Sequence, residues 1–446
     1  MVEPPWQPKQ LRLENNNTDR ISALPNTVLC YILSFVPTKT AVRTSVLSPR
    51  WRHVWKDVKT LHFSDDSHEL FDETGESFKR FSIFVNNVFN LHNDPRDIHA
   101  LRLSCGHSNN DPLNASSVAA WVRAAIGPNL EEFHLTLFCN DARGFVVPHN
   151  ILSCSKLVTL SLSGGVHLLP KQPLTVDLVS LKILSLDIDD VDWIDGILSK
   201  CPQIETLSAC FTLRQPVRVC LPLTLKKLKF AIKNQVAAAI EIHAQGLTYI
   251  SIAHAANRFS YRVSEMNNVR EVSLNMYATH EPIDVLIRIL IAVRRTEILA
   301  LHRFTTKWLL RAQVPVFPDF HHLIRLEVVL PWFNSSFLMS LLSKCHKLQE
   351  LKIEIDEELP IVSQSWMKPR RDLPCLASYL SCFHFVGYRG IHDESKIVGY
   401  ILERGLLLST IIIDLEKSLD DDSKNDVLMK LLAMPRGSPL CEINIC

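Results

Sequence analysis

Two runs of aspartate are the first residues in this chain that suggest a reaction centre or a cation site. Asp187, Asp189, Asp190 and Asp192 sit close together, and Asp420, Asp421 and Asp422 are consecutive. Carboxylates hold Ca²⁺ or Mg²⁺ where a loop wraps the ion, which also requires a central glycine and a closing glutamate. The first run lacks both and leads into an apolar stripe at Trp193, where acids serve as caps and favour the helix dipole. The second, between Lys417 and Lys424, reads as a solvated loop before the last helix. His321-His322 have no acid at zinc-protease spacing, and the twelve cysteines contain no C-x-x-C and no zinc-finger set with histidine. No G-x-S-x-G, Walker loop or kinase set is present. An enzyme reading would rest on the aspartates alone, so no catalytic residue, metal or cofactor is expected.

Cysteines in this pattern are expected to be reduced thiols in the core of a cytoplasmic or nuclear protein. The N-x-S/T triplets at Asn16, Asn114 and Asn334 are then chance matches, and Lys368-Pro369-Arg370-Arg371 is too short to specify nuclear import. A net charge of +1 over 446 residues argues against a nucleic-acid partner, which needs a basic excess. No window approaches the ~18 consecutive apolar residues of a membrane span, so no membrane partner is expected. Residues 1–19 carry no apolar run and are expected to be flexible.

The elements that position the chain come from a repeat. The pattern apolar-x-x-apolar-x-apolar recurs most clearly at Leu157, Leu181, Leu225, Leu247, Leu323 and Leu348. Weaker copies start at Val58, Ile98, Leu130, Ile204, Val269 and Thr296, with further ones at Leu380, Leu408 and Leu440. From Leu157 to Leu348 the starts are 24, 23, 21, 22, 22, 27, 27 and 25 residues apart. That spacing is a leucine-rich-repeat period, about 20–29 residues. Eleven residues before four of the starts, an apolar pair opens a helical stripe: Trp193-Ile194, Val285-Leu286, Phe337-Leu338 and Ile397-Val398. A 3.6-residue period giving way to a 2-residue period at one offset is a helix followed by a strand.

Neither element can bury its apolar side alone, so neighbours must stack. The expected fold class is α/β: a small helical module followed by a solenoid, with a parallel sheet on the concave face and helices or turns outside. Between Ile204 and Leu247 there is little room for helices, and tight turns are expected there. Residues between the strand leucines should face outwards and offer contacts to a protein or peptide ligand. The candidates are Lys227, Lys229, Tyr249, Glu271, Asn275, His302, Arg325, Glu327 and Glu350, among serines such as Ser161, Ser185, Ser208 and Ser251.

Residues 20–57 follow different rules. Asn26 is placed to cap a helix carrying Val28, Leu29, Ile32, Leu33 and Val36, and Pro37 stops it. Thr38 or Thr40 starts a second short helix, and Ser48-Pro49 a third with Trp51 and Trp55 on one side. About forty residues cannot hold a comfortable core, so the module must lean on the solenoid, on a partner, or on both.

The run Leu24-Pro25-x-x-Val28-Leu29-x-x-Ile32-Leu33-x-Phe35-Val36-Pro37, followed by Leu47-Ser48-x-Arg50-Trp51-Arg52-x-Val54-Trp55, resembles a plant F-box, with Pro49 where a lysine is often found. Pro374-Cys375-Leu376, Phe385-x-Gly387-Tyr388-x-Gly390, Tyr400-x-Leu402-Glu403 and Leu440-x-x-Ile443-x-Ile445 resemble the FBD domain of plant F-box/leucine-rich-repeat proteins. The resemblance implies a flexible start (1–19), an F-box (20–57), a leucine-rich-repeat solenoid (58–365) and FBD-like repeats continuing it (366–446). It also implies a Skp-type adaptor as partner, through it a cullin, and a non-catalytic role in selecting a protein substrate for ubiquitin transfer. The adaptor surface it implies is Leu24, Pro25, Val28, Leu29, Ile32, Leu33, Pro37, Val46, Leu47 and Trp51. Which of these seal the module's own core is left open, as is the alternative of a repeat scaffold without ligase engagement.

Overall fold

A computed structural model describes residues 21, 23–65, 77–106, 115–138, 144–168, 176–189, 191, 193–243, 245–256, 258–312, 316–356, 366 and 373–445. Residues 1–19, Asp190, Asp192, Cys139 and Lys368-Pro369-Arg370-Arg371 lie outside the described residues.

Alternation dictates the main element. All fifteen apolar starts, from Val58 to Leu440, are followed two residues later by the first residue of a strand. The strands run from Thr60–Ser64 to Glu442–Ile445 and pair in chain order into one fifteen-stranded parallel sheet. The register stacks like on like: Leu61, Leu101, Phe133, Leu160, Leu184, Leu207 and Leu228 are partners in succession. Ile250, Val272, Leu299, Leu326, Leu351, Phe383, Ile411 and Ile443 continue the row. Up to Ile411 every member is buried, each stabilising the fold by about 1.5–3 kcal/mol. Ile443, the last member, is partly buried, and Leu440 just ahead of its strand is 81% exposed.

The stripes ahead of four starts form the helices Ile194–Leu198, Asp284–Ala292, Ser335–Leu342 and His392–Arg404, with their apolar pairs buried except for Trp193, which is half-buried at the N-cap. A helix at Asp421–Leu432 starts on Asp420, whose carboxylate accepts from the Ser423 backbone N–H at 3.0 Å; Asp421 and Asp422 therefore lie inside the helix. Asn334 likewise caps Ser335–Leu342, accepting from the Phe337 backbone N–H at 2.9 Å.

One expectation fails. Where turns were expected after Ile204, the outer layer is a second parallel sheet of Val217–Leu221, Ala238–Ile242 and Phe259–Val263. The connections are too short for helices, but five residues in extended form span the same distance, and alternating Val219, Leu221, Ile240 and Ile242 point into the core. His254 and Tyr261 meet between the two sheets, His254 Nδ1 lying 3.2 Å from the Tyr261 hydroxyl and Nε2 3.4 Å from the Val236 carbonyl. A neutral ring with its proton on Nε2 satisfies both. Burial holds the His254 pKa down at about 4.

The N-terminal module packs on the first repeat. The Thr38 hydroxyl accepts from the His62 backbone N–H at 2.8 Å, and His92 Nε2 lies 2.9 Å from the Val58 carbonyl. Trp51, Val54 and Trp55 are continuous with the repeat core.

Candidate functional site

The first helix of the module, α1 (Asn26–Leu33), is too apolar to have one buried side. Its stripe splits. Leu29 and Leu33 turn inwards and are buried, whereas Val28 and Ile32 are exposed. Tyr31 and Phe35, not among the sequence candidates, extend that outer ridge at 67% and 71% exposure, their rings edge-to-face at 4.9 Å. Val46 and Leu47, just past α2 (Thr38–Arg43), are 85% and 66% exposed.

Of the ten residues implied for adaptor binding, Leu29, Leu33 and Trp51 are buried in the molecule's own core, the division the sequence left open. Pro25, Val28, Ile32, Pro37, Val46 and Leu47 are on the surface, and Leu24 is half-buried. Six large apolar side chains left outside on a module of this size are an exposed patch of the kind that partners cover. The signal for the missed pair was the i, i+3, i+4, i+7 spacing of Val28, Tyr31, Ile32 and Phe35.

Asn26 does not cap α1. Pro25 holds the N-cap position, and the Asn26 amide oxygen accepts instead from Arg50 Nη2 at 3.0 Å and Nε at 3.3 Å. Arg50 also donates to the Leu24 carbonyl. One guanidinium thus ties the Leu24-Pro25 start to the third helix, α3 (Trp51–Val54), which gives a physical reason for Leu-Pro and Arg-Trp occurring at this separation.

The second surface is the side of the large sheet that helices do not cover. Among the described residues, Lys227, Lys229, Tyr249 and Glu271 make no side-chain hydrogen bond or ion pair. They are neighbours: Lys227, Tyr249 and Glu271 are register partners, with Lys229 and Ser251 forming the next row. The other candidates are engaged within the chain. Arg325 pairs with Glu327 at 2.5 Å and lies 3.7 Å from Glu350. The Asn275 oxygen accepts from the Phe304 backbone N–H at 3.1 Å, holding the start of the helix Arg303–Arg311, and His302 meets Ser273 at 3.0 Å.

Towards the amino end of this face, burial and the nearby Arg102 hold His62 below the usual imidazole range, and His134 is lowered in the same way. Asp187 of the aspartate run is paired with Lys233 at 2.7 Å. Burial raises the thiols of Cys201 and Cys375 to about 12 and that of Cys154 to about 11, so they are protonated and unreactive. Cys220 is exposed, contrary to the reading of every cysteine as core.

Three family models match this chain: the F-box domain at residues 21–63, the At1g61320/AtMIF1 LRR domain at 91–387 and the FBD at 368–413. The F-box/FBD/LRR-repeat protein At4g26340 of Arabidopsis thaliana is 30% identical over 443 residues, covering 94% of this chain and 98% of that protein. The chain belongs to the F-box/FBD/LRR-repeat family. It is also similar to the FBD-associated F-box protein At4g10400 of Arabidopsis thaliana, 26% identical over 434 residues, 96% of this chain and 99% of the relative. A chain joining an F-box to leucine-rich repeats is a substrate-recognition F-box protein, of a kind that is typically a non-catalytic adaptor.

The glycines of the FBD stretch are explained by geometry. Gly387 and Gly390 have φ of 78° and 71°, and a Cβ on Gly390 would lie 2.6 Å from Val427 of the helix Asp421–Leu432. Between them Tyr388 is buried, its hydroxyl 3.0 Å from Ser395. Glu394, fully buried, accepts from the Arg389 backbone N–H at 2.9 Å and its guanidinium at 3.2 Å, while burial raises its pKa. In this F-box/FBD/LRR-repeat protein these FBD residues join a strand to the next helix.

Proposed function

We propose that this chain is the substrate-recognition subunit of an SCF-type ubiquitin ligase. The F-box docks on a Skp-type adaptor and through it on a cullin, and the open sheet face holds a protein substrate in the cytoplasm or nucleus. The observation that carries this reading is the outer ridge of Val28, Tyr31, Ile32 and Phe35 beside Val46 and Leu47. An apolar ridge on a short helix suits an apolar groove, each buried side chain contributing about 1.5–3 kcal/mol before association costs are subtracted.

Pro25 and Pro37 border the ridge, and Leu24 lies half-buried beside it. On the repeat side, Lys227, Lys229, Tyr249 and Glu271 are the favoured substrate contacts, because an unpaired group gains a partner without breaking an existing one. Arg325, Glu327, Glu350, Asn275 and His302 belong to a more self-satisfied part of the same face. Catalysis is borrowed: the protein raises the local concentration of a substrate lysine near ubiquitin activated elsewhere, and needs no nucleophile of its own.

Co-purification of the full chain with a Skp-type adaptor tests the reading. Ile32→Asp and Val46→Asp are expected to lose the adaptor while melting at the unaltered temperature. Capture of the adaptor by both variants at the wild-type level would refute it, and a soluble chain that binds no adaptor would favour the plain repeat scaffold.

A further inference from the structure

Behind the open face, on the outside of the three-stranded sheet, lies a cavity of about 570 Å³ that neither the F-box nor the substrate reading uses. Its floor is small and apolar: Ala238 and Ala239 continue from Val217, and Val285 of the helix Asp284–Ala292 closes one side. Ala239 is in register between Arg218 and Ser260, so a methyl group between longer neighbours makes the hollow.

Charge collects at its mouth. Arg218, Arg258 and Arg288 line it against one lining acid, Glu281. Arg218 is paired with Glu241. Arg258 and Arg288, among the described residues, make no hydrogen bond or ion pair, and both are exposed. Guanidinium groups bind carboxylate and phosphate through paired N–H donors, and a volume of this size falls in the range of small-ligand sites, about 300–1,000 Å³.

We propose that this cavity binds a small organic anion. Its carboxylate or phosphate lies between Arg258 and Arg288, and its apolar body covers Ala239 and Val217. The ligand bridges the outer sheet and the helix Asp284–Ala292, and so stabilises the folded chain.

Calorimetric titration and thermal melting of the full chain with phenyl phosphate, benzoate and inorganic phosphate test this. Phenyl phosphate or benzoate is expected to bind and to raise the melting temperature, with inorganic phosphate weaker by roughly tenfold. Arg258→Ala with Arg288→Ala is expected to weaken binding by roughly tenfold or more without changing the melting temperature of the free chain. Ala239→Leu fills the hollow, leaves the arginines in place and is expected to abolish binding. No heat from either organic anion at millimolar concentration, equal binding of inorganic phosphate, or binding unchanged in these variants would overturn the assignment.

Discussion

The F-box and the repeat sheet are built from the same apolar residue types and use them in opposite ways. In the sheet the pleat sends alternate side chains to opposite sides, and Leu160, Leu184 and Leu207 each meet a like residue and are buried. In α1 the apolar residues surround the axis, so Leu29 is buried while Ile32, three residues on, is exposed. An identical side chain is core in one place and surface in the other because the period of the element differs. A row that meets like residues on both sides is covered by its own chain; a helix that keeps an apolar ridge outside leaves a surface of the kind that partners cover.

The comparison breaks first if the division within α1 is wrong. Leu29→Asp puts an unpaired carboxylate into the core and is expected to cost about 4 kcal/mol or more, unfolding the module, whereas Ile32→Asp is expected to leave the melt unchanged. Equal destabilisation of the two variants in thermal denaturation would erase the distinction.

Next in size is the sheet itself. Leu299→Ala, between Val272 and Leu326, is expected to cost about 2–5 kcal/mol in chemical denaturation, and a loss under 1 kcal/mol would mean that the row is loosely packed.

A pH effect sharpens the picture of the double-sheet stretch. The His254 ring titrates from 6.5 when unfolded to about 4 when folded, so the unfolded chain binds the extra proton between these values. The stabilisation from keeping the ring neutral is complete above pH 6.5 and falls by roughly 3 kcal/mol as pH drops through 4. In His254→Gln that part of the pH dependence should vanish, and a variant with the wild-type profile would remove His254 as its source. The smallest expected effect is Asn334→Ala, which removes one helix cap at about 1 kcal/mol in the same denaturation experiment.

Much of the fold was legible before any coordinates. The starts at Val58 and Ile98 are weak as patterns, yet each leads a strand, because in a stack every repeat must present the same apolar row to its neighbour. The outer strand Val217–Leu221 was not legible, since a short connection is compatible with either a turn or an extended segment until its neighbours offer hydrogen bonds. The candidate site was half legible: Val28, Ile32, Val46 and Leu47 were named, but with Leu29, Leu33 and Trp51, which are core, and without Tyr31 and Phe35. On the sheet face, residue type marked Lys227 and Arg325 as equal candidates, yet Arg325 is held by Glu327 two residues on in its own strand and lies 3.7 Å from Glu350 of the next, whereas Lys227 is unpaired.

By itself the sequence determined the repeat, its spacing and the side of each strand that is buried, because these follow from local periodicity acting on every residue alike. Tertiary structure alone decided which apolar residues of the F-box remain outside and which charges of the sheet face are spent on each other. The first depends on distances between segments far apart in the chain, the second on side-chain geometry within and between strands, and residue type alone carries neither.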